Sequence, residues 1–395
     1  MKVLIFSLTN LSTQQLVEYS LYQKLKDIGF NVEIGVFSFD KRLKTTTTDS
    51  IVYPRSFTTF KKDCIRFSAN KFNLFNNKRL SNYLKDVSHV MTRQIGKNSD
   101  LLLLQAIAQQ SHNIKHIVYV MNTVGAEIGL SGKNPDYYLC PGIFWEQLLK
   151  EKKSFLTGLK KYDFPFLTKS RNDFNGKIVR SGLLSWLEVE NSKQNVSKET
   201  FHSAYNINNK FIIYCLESTT KYIDEKCNPK GSMLPWTIEM IKQLKDLLGS
   251  GYDILIKGHP FQYQKPYPWY KRKQLPLEIF EEYGKILRPD DGYHAFRFAD
   301  FAVVGNSSVA YEAALCGCTC VAIAANEKDF YQQDSIFQGP YYTPEIFGFL
   351  FDNFSSFENN LQHVLSYSND KEKNVYLEQY GNYFDTNVIK QLISK

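Results

Sequence analysis

The sequence predicts an α/β protein made of two doubly wound domains, each with a parallel sheet between helices. Three observations support this. The chain has 395 residues, enough for two domains with a core each. Apolar runs of strand length alternate with helical patterns along the chain. A polar stretch, residues 188–198, divides this alternation into two similar halves and is predicted to be a linker. We therefore assign residues 1–187 to the first domain, 188–369 to the second, and 370–395 to a helical segment that crosses back to the first.

The first domain begins with a predicted βαβ unit: a strand at 2–8, a helix at 13–28 and a strand at 31–37. The helix carries an apolar stripe, and Gly29 follows it where a helix C-cap is expected. Further strands are predicted at 100–104, 116–121, 136–140 and 177–181. Because a βαβ unit joins parallel strands, this order predicts a parallel sheet.

The second domain repeats the pattern. Strands are predicted at 211–215, 253–257, 286–287, 301–304 and 319–324, with helices at 235–248 and 308–315. Cys316, Cys318 and Cys320 alternate in a way that predicts small apolar side chains on one face of a buried strand, with a metal site as the alternative. Ligands of such sheets bind outside the carboxyl ends of the strands, so we expect one in a cleft between the domains.

Composition narrows the function classes. The net charge is +8, and no helix-turn-helix, RNP-like or zinc-finger pattern is present, which argues against nucleic acid as a partner. The N-terminus is predicted to be a buried strand rather than a signal peptide, and the seven cysteines form no CxxC pair, so we expect a cytoplasmic protein. Basic clusters at 150–153, 160–161 and 271–273 are suited to contact an acidic polymer or anionic lipids on the cytoplasmic face of the inner membrane; ordinary solvated surface is the alternative.

A titratable segment ends the predicted strand 253–257. It consists of Lys257, Gly258, His259 and Pro260, with the glycine permitting a turn and the proline fixing φ after the histidine. An imidazole and an ammonium at a sheet edge are suited to bind phosphate oxygens, and Lys257 is suited to neutralise a leaving group. The alternative for His259 is an ordinary hydrogen-bonded histidine.

A second anion site is predicted where the strand 301–304 leads into the helix 308–315. Asn306, Ser307 and Ser308 lie at this junction, so hydroxyls, backbone N–H groups and the positive end of the helix dipole converge there. Capping alone is the alternative interpretation. We expect this strand to neighbour the one that ends before His259, so that both ends contact one nucleotide phosphate.

These residues resemble motifs of the GT-B glycosyltransferases, and within them of the bacterial sialyltransferase, polysialyltransferase and Kdo-transferase group. His259-Pro260 is similar to that group's HP motif and Ser307-Ser308 to its SS motif. Residues 306–317 also resemble the teichoic-acid glycerophosphotransferases. The resemblance implies two Rossmann-like domains, with His259 and the two serines at the donor phosphate. It also implies ribose contacts from Glu312, for which a salt bridge on the helix surface is the alternative.

The group's third motif, an acidic pair followed by glycine that supplies the catalytic base, does not match in position. Asp290-Asp291-Gly292 follows His259-Pro260 instead of preceding it, and we interpret it as a turn before a helix at 293–298. An inverting sugar transfer needs a base opposite the leaving group. Loop candidates are Asp40, Glu127 and Glu217. Glu127 is preferred because Gly125, Gly129 and Gly132 surround it.

The leading hypothesis is an inverting, metal-independent glycosyltransferase that moves a sialic acid- or Kdo-like sugar from a CMP donor. Its acceptor would be a bacterial surface glycan or glycolipid, such as lipooligosaccharide or capsule. No cofactor is expected, since no Asp-x-Asp follows a strand of the first domain. The alternatives are a CDP-polyol phosphotransferase or a UDP-sugar transferase or epimerase of the same fold. A two-domain binding protein without chemistry is a third hypothesis.

Overall fold

The computed structural model describes sixteen stretches of the chain. They are residues 1–7, 12–37, 63–67, 78–93, 107, 113–119, 135–143, 146, 176–216, 233–259, 262–263, 277–304, 309–323, 348–351, 353–367 and 383–394. They divide into two compact units. Unit 1 includes described residues within Met1–Lys44, Phe57–Glu188 and Val375–Lys395, and the described residues of unit 2 fall within Val189–Asn374.

Unit 1 contains a seven-stranded sheet in which every described pairing is parallel. Its strands are β1 (Lys2–Ser7), β2 (Asn31–Phe37), β3 (Cys64–Phe67), β4 (His89–Arg93), β5 (Lys115–Tyr119), β6 (Tyr137–Cys140) and β7 (Lys177–Arg180). They lie in the order β3-β2-β1-β4-β5-β6-β7. The order reverses between β1 and β4, which is the switch point of a doubly wound sheet.

Helices α1 (Ser12–Asp27) and α2 (Lys78–Leu84) belong to this unit. Leu21 and Leu25 of α1 are fully buried, as the apolar stripe predicts. Gly29 follows the helix with φ of 91°, and its N–H donates to the Lys26 carbonyl oxygen at 2.9 Å. Only glycine adopts that backbone conformation without strain, so the predicted C-cap is confirmed.

Unit 2 contains a six-stranded sheet, again parallel in every described pairing. Its strands are β8 (Lys210–Cys215), β9 (Tyr252–Lys257), β10 (Lys285–Ile286), β11 (Phe301–Val303), β12 (Thr319–Ile323) and β13 (Gly348–Phe351), in the order β10-β9-β8-β11-β12-β13. The switch point lies between β8 and β11. Fully buried side chains of β8, β9 and β11 form its core together with Leu244, which lies on the helix between β8 and β9.

Seven helices accompany these strands, in the described part of the chain from residue 186 to 366. They are α3 (Trp186–Asn195), α4 (Lys198–Ala204), α5 (Met233–Leu248), α6 (Gly292–Phe298), α7 (Val309–Cys316), α8 (Phe354–Asn359) and α9 (Leu361–Ser366). The predicted linker at 188–198 is wrong, because it is mostly the helix α3. Val189 of this helix is fully buried, and its polar residues Glu188 and Ser192 are buried too, so polar composition did not indicate exposure here.

The last described helix, α10 (Thr386–Ile393), belongs to unit 1. Its Ile389 and Ile393 are fully buried, and the Asp385 N–H donates to the Ser181 carbonyl oxygen at 2.8 Å. The division between the units falls between Glu188 and Val189, within α3. The chain thus returns to unit 1 after unit 2.

The predicted strand at 100–104 and the three basic clusters lie outside the described residues. Within the described part, no helix has both the length and the apolar character needed to cross a bilayer.

Candidate functional site

The carboxyl ends of three strands meet at the switch point of unit 2. Lys257 ends β9 and is the register partner of Cys215, which ends β8. On the other side of β8, Val303 of β11 is paired with Tyr214. Since adjacent parallel strands in register share an edge, side chains from all three strands converge there.

β8 lies between the two strands that were expected to be neighbours, so that prediction is wrong. β9 and β11 flank it, and two strand spacings separate them by about 10 Å. In chain order, β9 and β10 lie on one side of β8, and β11 then pairs with its other side. One phosphate can bridge the two strand ends only by lying over the end of β8.

Glu312 of α7 lies close enough to Lys257 for the two charges to interact. Burial raises the pKa of the Glu312 carboxyl, while the Lys257 ammonium and a hydrogen bond from Tyr293 act in the opposite direction. The stem of Lys257 also passes close to the start of α6, because a Cβ added to Gly292 would lie 3.1 Å from Lys257 Cε. A cation from β9 and a carboxylate from α7 therefore lie near each other and near Cys215, the last residue of β8.

Cys215 lies beneath this pair. It is buried, and burial raises its pKa to about 12, with Lys257 lowering the pKa and Glu312 raising it. The thiol therefore stays protonated at neutral pH and is a poor nucleophile. Its role at the edge is packing, and the charges come from the two residues above it.

His259 lies two residues beyond the end of β9 and is partly buried. Its backbone N–H donates to Gln262 Oε1 at 2.7 Å, and its carbonyl oxygen accepts from the Gln262 N–H at 2.8 Å. Gly258 precedes it and packs against Leu277: a Cβ there would lie 2.7 Å from Leu277 Cδ2, so any side chain would require Leu277 to move. These contacts restrict the backbone conformation of Gly258 and His259 directly after β9.

The structure describes only some of the predicted site residues. Lys257, Gly258, His259 and Glu312 lie together at this edge of unit 2. Outside the described residues are Pro260, Asn306, Ser307, Ser308, Glu217, Glu127 and Asp40. The helix α7 begins at Val309, directly after the two serines, so its start is at the predicted place.

The structure differs in detail from the predictions for two other segments, Asp290-Asp291-Gly292 and the cysteine cluster. Asp290 and Asp291 form one turn of 3-10 helix with Pro289, and α6 follows at Gly292, close to the expected turn and helix. The buried Asp291 accepts a hydrogen bond from the Tyr205 hydroxyl, which is a structural role. In the cysteine cluster, Cys316 ends α7 rather than lying on a strand, and only Cys320 belongs to β12.

No group of three or more His, Cys, Asp or Glu side chains in the described stretches is arranged to hold a metal ion. Tyr293, Gln262 and Tyr263 were missed by the sequence analysis. The last two lie three and four residues after His259, and Gln262 is buried. A partial signal was available, since a glutamine and a tyrosine directly after a strand-end histidine can bond to its turn.

Comparisons with known proteins identify the fold. No protein family and no curated protein gives a significant match. Solved structures match over the whole chain. UDP-GlcNAc 2-epimerase from Methanocaldococcus jannaschii, in complex with UDP-GlcNAc and UDP, has 13% identity and a TM-score of 0.53, covering 100% of this chain and 99% of that one.

The UDP-GlcNAc 2-epimerase from Neisseria meningitidis bound to UDP-GlcNAc has 11% identity and a TM-score of 0.55, with both chains covered fully (100%). A variant of the wall teichoic acid polymerase TagF has 11% identity and a TM-score of 0.58, covering 99% of this chain and 87% of that one. At such identities the likeness concerns the fold. With its two doubly wound parallel sheets, this chain has the α/β architecture of the GT-B fold, as the sequence predicted.

Proposed function

We propose that this protein is a nucleotide-sugar enzyme that binds a UDP-linked sugar at the switch point of unit 2 and transfers or epimerises that sugar. The observation that carries the proposal is that Lys257, at the end of β9, and Glu312, in the first turn of α7, lie close enough for their charges to interact. A cation at a strand end suits a diphosphate, and a carboxylate one turn into the following helix suits ribose hydroxyls.

The chemistry follows from these charges. In a transfer, the bond between the anomeric carbon and the diphosphate breaks, and its electron pair stays on the phosphate oxygen. The Lys257 ammonium and the His259 imidazole stabilise this developing charge, and the dipole at the start of α7 adds to it. The acceptor oxygen forms the new bond and gives its proton to a base, for which Glu127 remains our candidate.

UDP is favoured as the nucleotide because two of the neighbours described above carry UDP-GlcNAc in their structures. The second candidate is transfer of a sialic acid- or Kdo-like sugar from CMP to a surface glycan, which the resemblance of His259-Pro260 and Ser307-Ser308 favours. The two functions share the same phosphate site and differ in nucleotide and sugar. They are therefore separable by binding and product analysis.

The first experiment is calorimetric titration of UDP, CDP and CMP into wild type and His259→Ala. We expect UDP to bind most tightly and the variant to lose at least about tenfold in affinity, the usual scale of a lost charged phosphate contact. His202→Ala is the matched control, because His202 packs against Phe211 near the start of β8, at the end of the sheet opposite to the strand ends of the proposed site. Tighter binding of CMP would favour the second candidate, and unchanged UDP binding in His259→Ala would overturn the proposed site.

The second experiment identifies the reaction. The protein is incubated with UDP-GlcNAc, other UDP-sugars and CMP-sugar acids, and products are followed by proton NMR and mass spectrometry. An epimerase converts its nucleotide sugar with no acceptor present, whereas a transferase needs a glycan. If no nucleotide sugar is consumed under either condition, the enzymatic proposal fails.

A further inference from the structure

The turn after β9 is built by side chains of residues that follow it. The Gly258 N–H donates to the Tyr263 hydroxyl at 2.8 Å, and the His259 N–H donates to Gln262 Oε1 at 2.7 Å. Partly buried backbone donors need partners, and here two consecutive ones are satisfied by side chains. The backbone on both sides of the His259 α-carbon therefore depends on these two residues.

Tyr263 also ties the turn to the neighbouring strand. Its hydroxyl donates to the Leu287 carbonyl oxygen at 2.7 Å while it accepts from Gly258. The ladder between β9 and β10 ends just before this point, where the Leu287 N–H donates to the Ile256 carbonyl oxygen at 2.9 Å. The Tyr263 hydroxyl thus bridges the backbone of Gly258, just after β9, and that of Leu287, just after β10.

The hydroxyl must be protonated to make both bonds. Burial raises the pKa of Tyr263, and the Gly258 N–H lowers it to a smaller extent. Tyr263 consequently keeps its proton at neutral pH and donates to Leu287. Its arrangement does not change across the pH range in which the protein would work.

Packing restricts the same turn from the other side. The Leu277 side chain fills the space beside Gly258, and the buried side chain of Gln262 closes the turn. Contacts on several sides leave the backbone of residues 258 and 259 little freedom. Such restriction lowers the entropy that a ligand contact from His259 would otherwise cost.

We propose that Tyr263 and Gln262 are positioning residues that hold His259 at the edge of unit 2 for a nucleotide phosphate. This inference rests on the proposed function, since it gives a purpose to the placement of His259. Neither residue needs to touch the ligand. They act through the backbone of Gly258 and His259, and their effect should therefore depend on the imidazole being present.

Affinity for UDP tests this dependence. Tyr263→Phe removes one hydroxyl and keeps the ring, and Gln262→Leu removes the acceptor for the His259 N–H. We expect each variant to weaken UDP binding about tenfold in wild type, but less than about twofold when His259 is already alanine, because residues that act through one another are not additive. Equal effects in both backgrounds would overturn the inference, since the residues would then act on the fold in general.

The matched control is Tyr205→Phe. Tyr205 is another buried tyrosine of unit 2, whose hydroxyl donates to Asp291 and accepts from the Arg288 N–H at 3.1 Å. It makes no bond to the turn after β9. We expect Tyr205→Phe to lower the melting temperature by an amount similar to Tyr263→Phe while UDP affinity changes less than about twofold.

A readout without ligand separates this inference from the proposed function. In protein carrying 13C-labelled histidine, the His259 ring signal is assigned by its loss in His259→Ala. We expect Tyr263→Phe and Gln262→Leu to shift or broaden that signal and Tyr205→Phe to leave it unchanged. An unchanged signal in the first two variants would overturn the positioning role. A changed signal, together with UDP binding that does not depend on His259, would support positioning and overturn the proposed function.

Discussion

The buried carboxyl of Glu18 allows the size of a pH effect on folding stability to be predicted. This residue of α1 is fully buried, and the Tyr119 hydroxyl donates to its Oε1 at 2.8 Å. Burial raises the pKa of the Glu18 carboxyl from 4.5 to about 7, against smaller opposite effects of Ser7, Arg93 and Tyr119. The change to examine is Glu18→Gln, a neutral side chain of the same shape that keeps an acceptor for Tyr119.

The sign and size follow from proton linkage. The folded state holds the Glu18 proton more tightly than the unfolded chain, so the stability it contributes is complete below about pH 4.5 and is lost as pH rises through about 7. Each pKa unit corresponds to about 1.4 kcal/mol, so the shift amounts to about 3 kcal/mol. Glutamine does not titrate, and the variant should lack this loss.

The assay is urea unfolding of wild type and Glu18→Gln between about pH 5 and pH 8, with tryptophan fluorescence as the signal. We expect the free energy of unfolding of wild type to fall relative to the variant by about 2.5 kcal/mol over that range, since part of the full effect is already lost below pH 5. Glu33→Gln controls for the loss of one carboxylate from unit 1, since Glu33 is partly exposed and pairs with Lys2 at 2.8 Å. A constant difference between wild type and Glu18→Gln at all pH values would refute the reasoning.

Two further predictions concern unit 2 and its ligand. Wild type should bind UDP about tenfold or more tightly than 2′,3′-dideoxy-UDP, and Glu312→Ala should remove this preference, because hydrogen bonds to a charged group are worth about 1.5–3 kcal/mol; a preference that persists in the variant would exclude Glu312 as the ribose contact. Dialysis against EDTA should leave UDP affinity and turnover within about twofold of untreated protein, as expected where protein cations stabilise the leaving group; loss of activity restored by Mg²⁺ or Mn²⁺ would contradict metal independence.

Most central strands of the two units, although not β4, could be predicted from sequence to within one or two residues. In a parallel sheet covered on both faces, a strand such as β8 is a continuous apolar run, and Phe211, Ile212 and Ile213 are all fully buried. Such runs are visible without knowing their partners. This is why the βαβ unit at the start of unit 1 and the strand before His259 agree with the structure.

The strand β4 was missed because it contains two buried polar residues, His89 and Thr92. Thr92 Oγ1 lies 2.9 Å from His116 Nε2 on β5, a partner 24 residues away in the chain. In the sequence, a histidine and a threonine within five residues suggest exposure. Only tertiary structure supplies the partners that make their burial favourable.

The strand ends of the candidate site were predictable from sequence, and their arrangement in the sheet was not. The apolar runs before His259 and before Ser307 located two strand ends, but chain order alone suggested that they adjoin. β8 lies between them because β9 pairs with one edge of β8 and β11 pairs with the other. The contact of Tyr263 with Leu287 requires β9 and β10 to be neighbours in that sheet. Neither relation has a signal in local sequence.

The return of α10 to unit 1 has a consequence for synthesis on the ribosome. All described residues of unit 2 emerge before α10, whose Ile389 and Ile393 become fully buried in unit 1. Tyr383 likewise packs its ring 4.2 Å from that of Trp186. During translation, all described residues of unit 2 are therefore synthesised before α10. Until α10 has been synthesised, the apolar surface of unit 1 against which Ile389 and Ile393 pack stays exposed.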